Sequence, residues 1–237
     1  MSDSPRRAVT VVIPVKNEDR TILAQTCYEL RTAGYHTIVV DDGSTVPLDL
    51  ATVRFDTSRG YGAALKHGIA ASTTELVVTM DGDGQHLVSD VQRLEAFFSY
   101  FPHHAMVIGD RRVQERGKRY WGRKGLNWMA SLFAGRVIPD LNSGLRIFRR
   151  SVALGYFPIL CNGFSFTTSL TLSLLADGYS VDWLPIRVLP RRRGVTKVSV
   201  WKDGWTTLRY ILWIGVALRT RSIRAWVRPA TRWLLGR

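Results

Sequence analysis

Apolar runs that alternate with helical segments predict an α/β fold for this 237-residue chain: a doubly wound, mostly parallel sheet. Three observations carry that prediction. The run Val9–Val15 is almost wholly apolar, the mark of a strand covered on both faces. Further short apolar runs follow, spaced by helix-length segments. Polar clusters then fall at the carboxyl ends of the predicted strands, where open α/β sheets bind ligands: Lys16-Asn17-Glu18, Asp41-Asp42, Asp81/Asp83 and Asp110-Arg111.

The elements follow in order. A helix is predicted over Asp19–Ala33, stopped by Gly34. Strands are predicted at Thr37–Val40, Thr52–Phe55, Glu75–Met80 and Ala105–Ile108, with helices at Ala63–Ser72 and Leu87–Tyr100 between them. Beyond residue 111 the alternation weakens. Helices are expected at Trp121–Ala134 and Leu170–Ala176, and a strand at Ser180–Val188, all as an extension of one domain over residues 1–199. Residues 200–237 form a separate basic segment rich in Trp and Arg.

The chain is long enough for one sizeable core, and its 46% hydrophobic content is ordinary for a globular protein. Two cysteines, Cys27 and Cys161, make no disulfide framework, and a reducing compartment is the simpler reading. The apolar run behind Met1–Arg7 is too short for a signal-peptide core with its cleavage site. Charge is uneven. Residues 1–110 hold 9 Lys/Arg against 14 Asp/Glu, whereas residues 111–237 hold 24 against 5. The second half calls for anionic company: a phosphorylated ligand, an anionic lipid surface or nucleic acid. The acidic strand-end clusters argue against nucleic acid.

Asp81-Gly82-Asp83 is the sharpest signal. On an extended segment residues two apart share a side, so two carboxylates offer hard oxygen ligands to Mg²⁺ or Mn²⁺, and Gln85 adds a neutral oxygen. A solvated Asp-Gly turn closing a strand is the competing reading. Asp41-Asp42-Gly43-Ser44 carries the same ambiguity between a ribose or base contact and a helix cap. Gly60-Tyr61-Gly62 is not a dinucleotide fingerprint, since Leu65 stands where its third glycine belongs. Its glycines and Lys66 are expected along a diphosphate, with Gly68 as a cap. His67, His86, His103 and His104 have no paired spacing and read as structural or surface residues. No Walker sequence and no Gly-x-Ser-x-Gly occurs.

Together, Val12–Glu18, Val39–Ser44, Arg59–Ala64, Met80–His86, Asn142–Arg146 and Arg191–Lys197 resemble, in this order, the family 2 glycosyltransferases. They are most similar to the dolichyl- and polyprenyl-phosphate mannosyl- and glucosyltransferases. The resemblance implies a GT-A fold and inversion at the anomeric carbon. It assigns Asp81, Asp83 and Gln85 to the metal, with Asp83 also catalytic. Pro14, Val15, Asn17, Glu18, Asp42, Lys66, Asp81 and Gly82 are expected to bind the nucleotide. Arg111 and Arg123 are expected to act in catalysis and, with Ser143, Arg191 and Lys197, to bind the diphosphate and the acceptor phosphate. Two departures stand out: Thr196 where the family often has Ser, and Phe164–Thr168 where many relatives carry a Gln/Glu pair.

The expected reaction moves a sugar from a UDP- or GDP-sugar donor to a polyprenyl or dolichyl phosphate. A phosphate monoester has a second pKa of about 6 and is already a nucleophile at neutral pH. It needs cationic neighbours, which the basic half supplies. A saccharide or other hydroxyl acceptor, with Asp140 as base, is the alternative. The apolar stretch Trp205–Leu218 has 14 residues, short of the ~20 that span a bilayer. Six arginines from Arg219 to Arg237, interleaved with Trp226 and Trp233, suit interfacial amphipathic helices on an anionic membrane. A peripheral place on the cytoplasmic face follows, with no transmembrane helix. A membrane-protein partner or a homo-oligomer stays open.

Overall fold

The computed structural model describes residues 8–111, 118–190 and 200–220, with side chains for 8–111, 124–190 and 204–215. Seven strands form one sheet in the order β3-β2-β1-β4-β6-β5-β7. They are β1 (Val9–Val15), β2 (His36–Asp41), β3 (Val53–Arg54), β4 (Leu76–Thr79), β5 (Met106–Asp110), β6 (Arg146–Arg149) and β7 (Val181–Pro185). All pairings are parallel except those of β6, which runs antiparallel to both β4 and β5. The helices are α1 (Arg20–Thr32), α2 (Tyr61–Ala71), α3 (Val88–Tyr100), α4 (Lys118–Ala134), α5 (Arg150–Leu154), α6 (Phe166–Ala176) and α7 (Val200–Thr220).

Strand β1 shows why the sheet is covered on both sides. Val9, Val11, Ile13 and Val15 face a core shared with Leu23 and Leu30 of α1 and Val91 and Leu94 of α3. Val12 faces the opposite core, with Leu65 of α2, Leu170 of α6 and Ile211 and Ile214 of α7. Alternating apolar side chains thus fill both layers. Asp19 begins α1, its carboxylate accepting from the Thr21 and Ile22 amides at 2.9 and 3.2 Å. Gly34, at φ 88°, follows the helix.

Two elements differ from the expectation. Strand β6 and helix α5 occupy a stretch for which the sequence predicts no element. Gly68 is not a cap: it sits inside α2, where a Cβ would lie 2.4 Å from Val12 Cγ1, so glycine lets the helix press onto β1. Helix α2 begins two residues early, at Tyr61, and α6 four residues early, at Phe166. The C-terminal segment beyond Thr220 lies outside the described residues. Among the described residues no helix is long and apolar enough to cross a membrane.

Candidate active site

The loops after β1 and β2 lock together. Asp42 donates its amide to Val15 O at 2.8 Å, and the Asn17 amide donates to Ser44 Oγ at 2.8 Å. Asn17 takes a left-handed conformation, φ 48°, and its side-chain oxygen accepts the Thr45 amide at 2.8 Å. Asp41 accepts both the amide and the hydroxyl of Ser44. Asp42 organises the next loop: it accepts from Ser58 Oγ at 2.8 Å and from the amides of Arg59 and Gly60 at 2.6 and 3.1 Å. Pro14 and Val15 are buried in β1, Asn17 is exposed and Glu18 half-buried. Pro14, Val15, Asn17 and Asp42 therefore meet at one rim, at the carboxyl ends of β1 and β2.

Asp81 follows β4. From Gly82 the chain turns, so the two carboxylates are related by a turn and not by strand alternation. Asp83 is buried and accepts the Gln85 amide at 3.1 Å. Asp81 keeps a third of its side chain exposed. Tyr61 donates its hydroxyl to Asp81 Oδ1 at 2.9 Å, and His86 Nε2 lies 3.7 Å from Oδ2. A Cβ on Gly144 would fall 2.3 Å from Oδ2, so only glycine allows the 142–145 turn to approach the carboxylate. Burial pushes the Asp81 carboxyl up, but the His86 ring, the Tyr61 hydroxyl and the Arg111 charge outweigh it, holding the group below its ordinary value. Burial and the Asp81 charge push the Tyr61 phenol well up.

These groups fit a hard divalent cation. Asp81 stays ionised and Asp83 sits two residues away. Gln85 spends its side-chain nitrogen on Leu189 O at 3.0 Å, leaving an oxygen as its metal-ligating group. Among the described residues no three His, Cys, Asp or Glu groups are arranged to hold a metal unaided. Any ion at Asp81 and Asp83 would thus need further oxygens, such as those of a diphosphate.

Arg111, just past β5, forms a two-pronged ion pair with Asp140: Nε to Oδ2 at 2.7 Å and Nη2 to Oδ1 at 3.1 Å. Asp140 is buried and also accepts the Asn142 amide at 3.1 Å. Arg146 is fully buried. Its guanidinium donates to the carbonyls of Ser143 and Thr167 and to Thr171 Oγ1, each within 3.0 Å. Burial lowers its pKa to about 10, against the favourable charges of Tyr61 and Asp140. It fastens the turn carrying Gly144 to the start of α6.

Other expected site residues have engagements of their own. Lys66 donates to Leu160 O at 2.6 Å and Asn162 Oδ1 at 2.8 Å, clamping the 160–162 segment to α2. Gly82 is buried against Val15, where a Cβ would meet Cγ1 at 2.7 Å. Ser143 is fully buried, its hydroxyl 3.5 Å from Leu145 O. The Arg123 side chain, Arg191 and Lys197 lie outside the described residues. Sequence reasoning missed Tyr61, His86 and Arg146. Tyr61 was hidden between two glycines, His86 has no partner spacing, and Arg146 reads as one more cation.

The profile of glycosyl transferase family 2 matches residues 10–157, more than half of the chain. With the sheet and the strand-end carboxylates in place, the chain belongs to glycosyl transferase family 2. It is 27% identical over 225 residues to polyprenol monophosphomannose synthase of Mycolicibacterium smegmatis, covering 82% of each chain. It is 32% identical over 197 residues to the undecaprenyl-phosphate 4-deoxy-4-formamido-L-arabinose transferase of Pseudomonas aeruginosa, covering 70% of this chain but only 56% of that one. The fold is similar to glucosyl-3-phosphoglycerate synthase of Mycobacterium tuberculosis, solved with Mn²⁺, uridine diphosphate and phosphoglyceric acid. The TM-score is 0.69 at 20% identity, over 88% of this chain and 78% of that one. The GT-A architecture expected from the sequence is thus the one observed.

Proposed function

We propose that this chain is an inverting glycosyltransferase that moves a sugar from a nucleotide-diphosphate donor, a UDP- or GDP-sugar, to a polyprenyl phosphate at a membrane surface. The observation that carries this reading is the Asp81 carboxylate at the carboxyl end of β4, two residues before Asp83; it accepts the Tyr61 hydroxyl at 2.9 Å and lies 3.7 Å from His86 Nε2. Names of two relatives support the lipid-phosphate acceptor. The Mn²⁺ and uridine diphosphate found with the M. tuberculosis synthase support a metal-bound nucleotide donor.

The residues act in named parts. The Asn17 and Asp42 rim orients the nucleoside, with Pro14, Val15 and Glu18 beside it. Asp81, Asp83 and Gln85 would hold Mg²⁺ or Mn²⁺, which would offset the charge of the leaving diphosphate as a Lewis acid. Arg111, oriented by Asp140, presents its charge next to this centre. Arg123, Arg191 and Lys197 join it around the acceptor phosphate, drawing two anions together across the sugar. No general base is needed for a phosphate nucleophile. Asp140 is poorly suited to that task, since both its oxygens are engaged.

A membrane place is supported by α4 and α7. These helices pack on each other, with Phe133 against the backbone at Gly215. Both expose large side chains: Trp128 and Leu132 on α4, Trp205, Leu212 and Trp213 on α7, with Lys124 and Arg209 exposed among them. Aromatic rings beside cations suit a lipid headgroup region. The donor half of the reading is tested by calorimetric titration with UDP- and GDP-sugars, with and without Mn²⁺. Metal-dependent binding of one of them is expected; equal binding in EDTA would remove the metal.

A further inference from the structure

Resting on the reading that Asp81 belongs to the metal–donor centre, we infer that Tyr61 is a positioning residue for it: the Tyr61 hydroxyl fixes the Asp81 carboxylate, and a stacked Phe164 fixes Tyr61. The hydroxyl takes Oδ1 at 2.9 Å. Gly144 closes against Oδ2 so tightly that no Cβ fits, and His86 stands 3.7 Å from the same oxygen. With one oxygen bonded and the other walled, the carboxylate has one orientation in which to present a lone pair.

The tyrosine ring is held with equal care. Its plane lies 22° from that of Phe164, centroids 5.2 Å apart, an offset stack. Phe164 precedes Ser165, whose buried hydroxyl shares a 3.0 Å hydrogen bond with Thr207 of α7. The flanking glycines make the approach possible. A Cβ at Gly60 would lie 2.4 Å from Asn162 O, and one at Gly62 only 2.2 Å from Cys161 O. The Lys66 ammonium then pins the same 160–162 segment to α2. The start of α2 and the segment before α6 thus form one clamp, with Tyr61 as its jaw on Asp81. This gives a role to Phe164, which the transfer reaction did not otherwise use.

Y61F removes the hydroxyl and keeps the ring in its stack. F164L keeps the hydroxyl and loosens the ring. Mn²⁺ binding is followed by electron paramagnetic resonance with uridine diphosphate and, separately, with guanosine diphosphate present, the nucleotide that binds being used throughout, and nucleotide binding in EDTA by calorimetry. One hydrogen bond to a carboxylate is at stake, so Y61F raises the Mn²⁺ dissociation constant about tenfold, and F164L raises it by a smaller factor. Nucleotide binding in EDTA stays at the wild-type value in both, and turnover at saturating Mn²⁺ largely recovers, a split that a general loss of structure would not give. Wild-type Mn²⁺ affinity in Y61F overturns the inference; so does a loss of metal-free nucleotide binding as large as the loss of Mn²⁺ binding. Should Y61F not fold, unchanged Mn²⁺ affinity in F164L overturns it instead. A wild-type protein whose Mn²⁺ signal ignores the nucleotide would contradict the metal–donor reading itself, and the role of Tyr61 with it.

Discussion

A carboxylate in a crowded site keeps its charge only in company, and Asp81 has that company in His86, Tyr61 and Arg111. Its carboxyl sits below the ordinary value of 3.8, so the folded state binds this proton more weakly than the unfolded chain. The group therefore adds stability above about pH 4, and that contribution is lost as the pH falls through the folded value. Urea unfolding of wild type and Asp81→Asn is expected to differ more at pH 6 than at pH 3. Asp83→Ala is expected to abolish transfer and remove any Mn²⁺-dependent gain in donor affinity, measured by titration; full activity in EDTA would contradict this. Arg146→Met strips hydrogen bonds from buried carbonyls and is expected to destabilise the fold by about 3 kcal/mol in urea unfolding. At this scale the place of Asp81 and Asp83 just past β4 was legible, because a short polar cluster interrupts an apolar run. Tyr61 and Arg146 were not, because their partners lie 20 or more residues away in sequence or on the buried side of a turn.

Among the elements, β1, β2, β4 and β5 declared themselves through continuous apolar runs, and α1 and α3 through periodicity and flanking signals. Strand β6 did not. Its four residues, Arg-Ile-Phe-Arg, carry a cation at each end, and Arg146 is buried by tertiary bonds that no local pattern reveals. Its antiparallel direction places the 142–145 turn at the end of β4, where Gly144 meets Asp81. Helix α4 was legible as a helix, whereas the span of α7 was read only as an apolar stretch, Trp205–Leu218, and the exposed side chains of both depend on how they pack together. Replacing Trp205 and Trp213 together by Ala is expected to lower binding to anionic vesicles at least about tenfold, since each ring loses its buried area in the lipid. Co-sedimentation checks this, and unchanged partitioning would show that the face does not meet lipid.

Over the whole molecule, acid gathers in the first half of the sequence and base in the second, and at the candidate site the Arg111 charge acts on Asp81. The sheet order was not readable from composition, since β6 enters between two parallel strands from the middle of the chain. Helix α7 ends at Thr220, so a deletion of residues 221–237 spares it and removes five arginines. At about 1 kcal/mol for each cation near an anionic surface, vesicle binding is expected to weaken strongly at low salt and little at high salt, with the melting temperature preserved.

The central claim is the pairing of a nucleotide-sugar donor with a phosphate nucleophile. Its most direct test is transfer from the donor that binds to a short-chain prenyl phosphate, set against the same prenyl alcohol without its phosphate. Glycosylation of the phosphate alone, strongly reduced by Arg111→Ala, is the predicted result. Equal glycosylation of the alcohol would contradict the account and make a hydroxyl the acceptor.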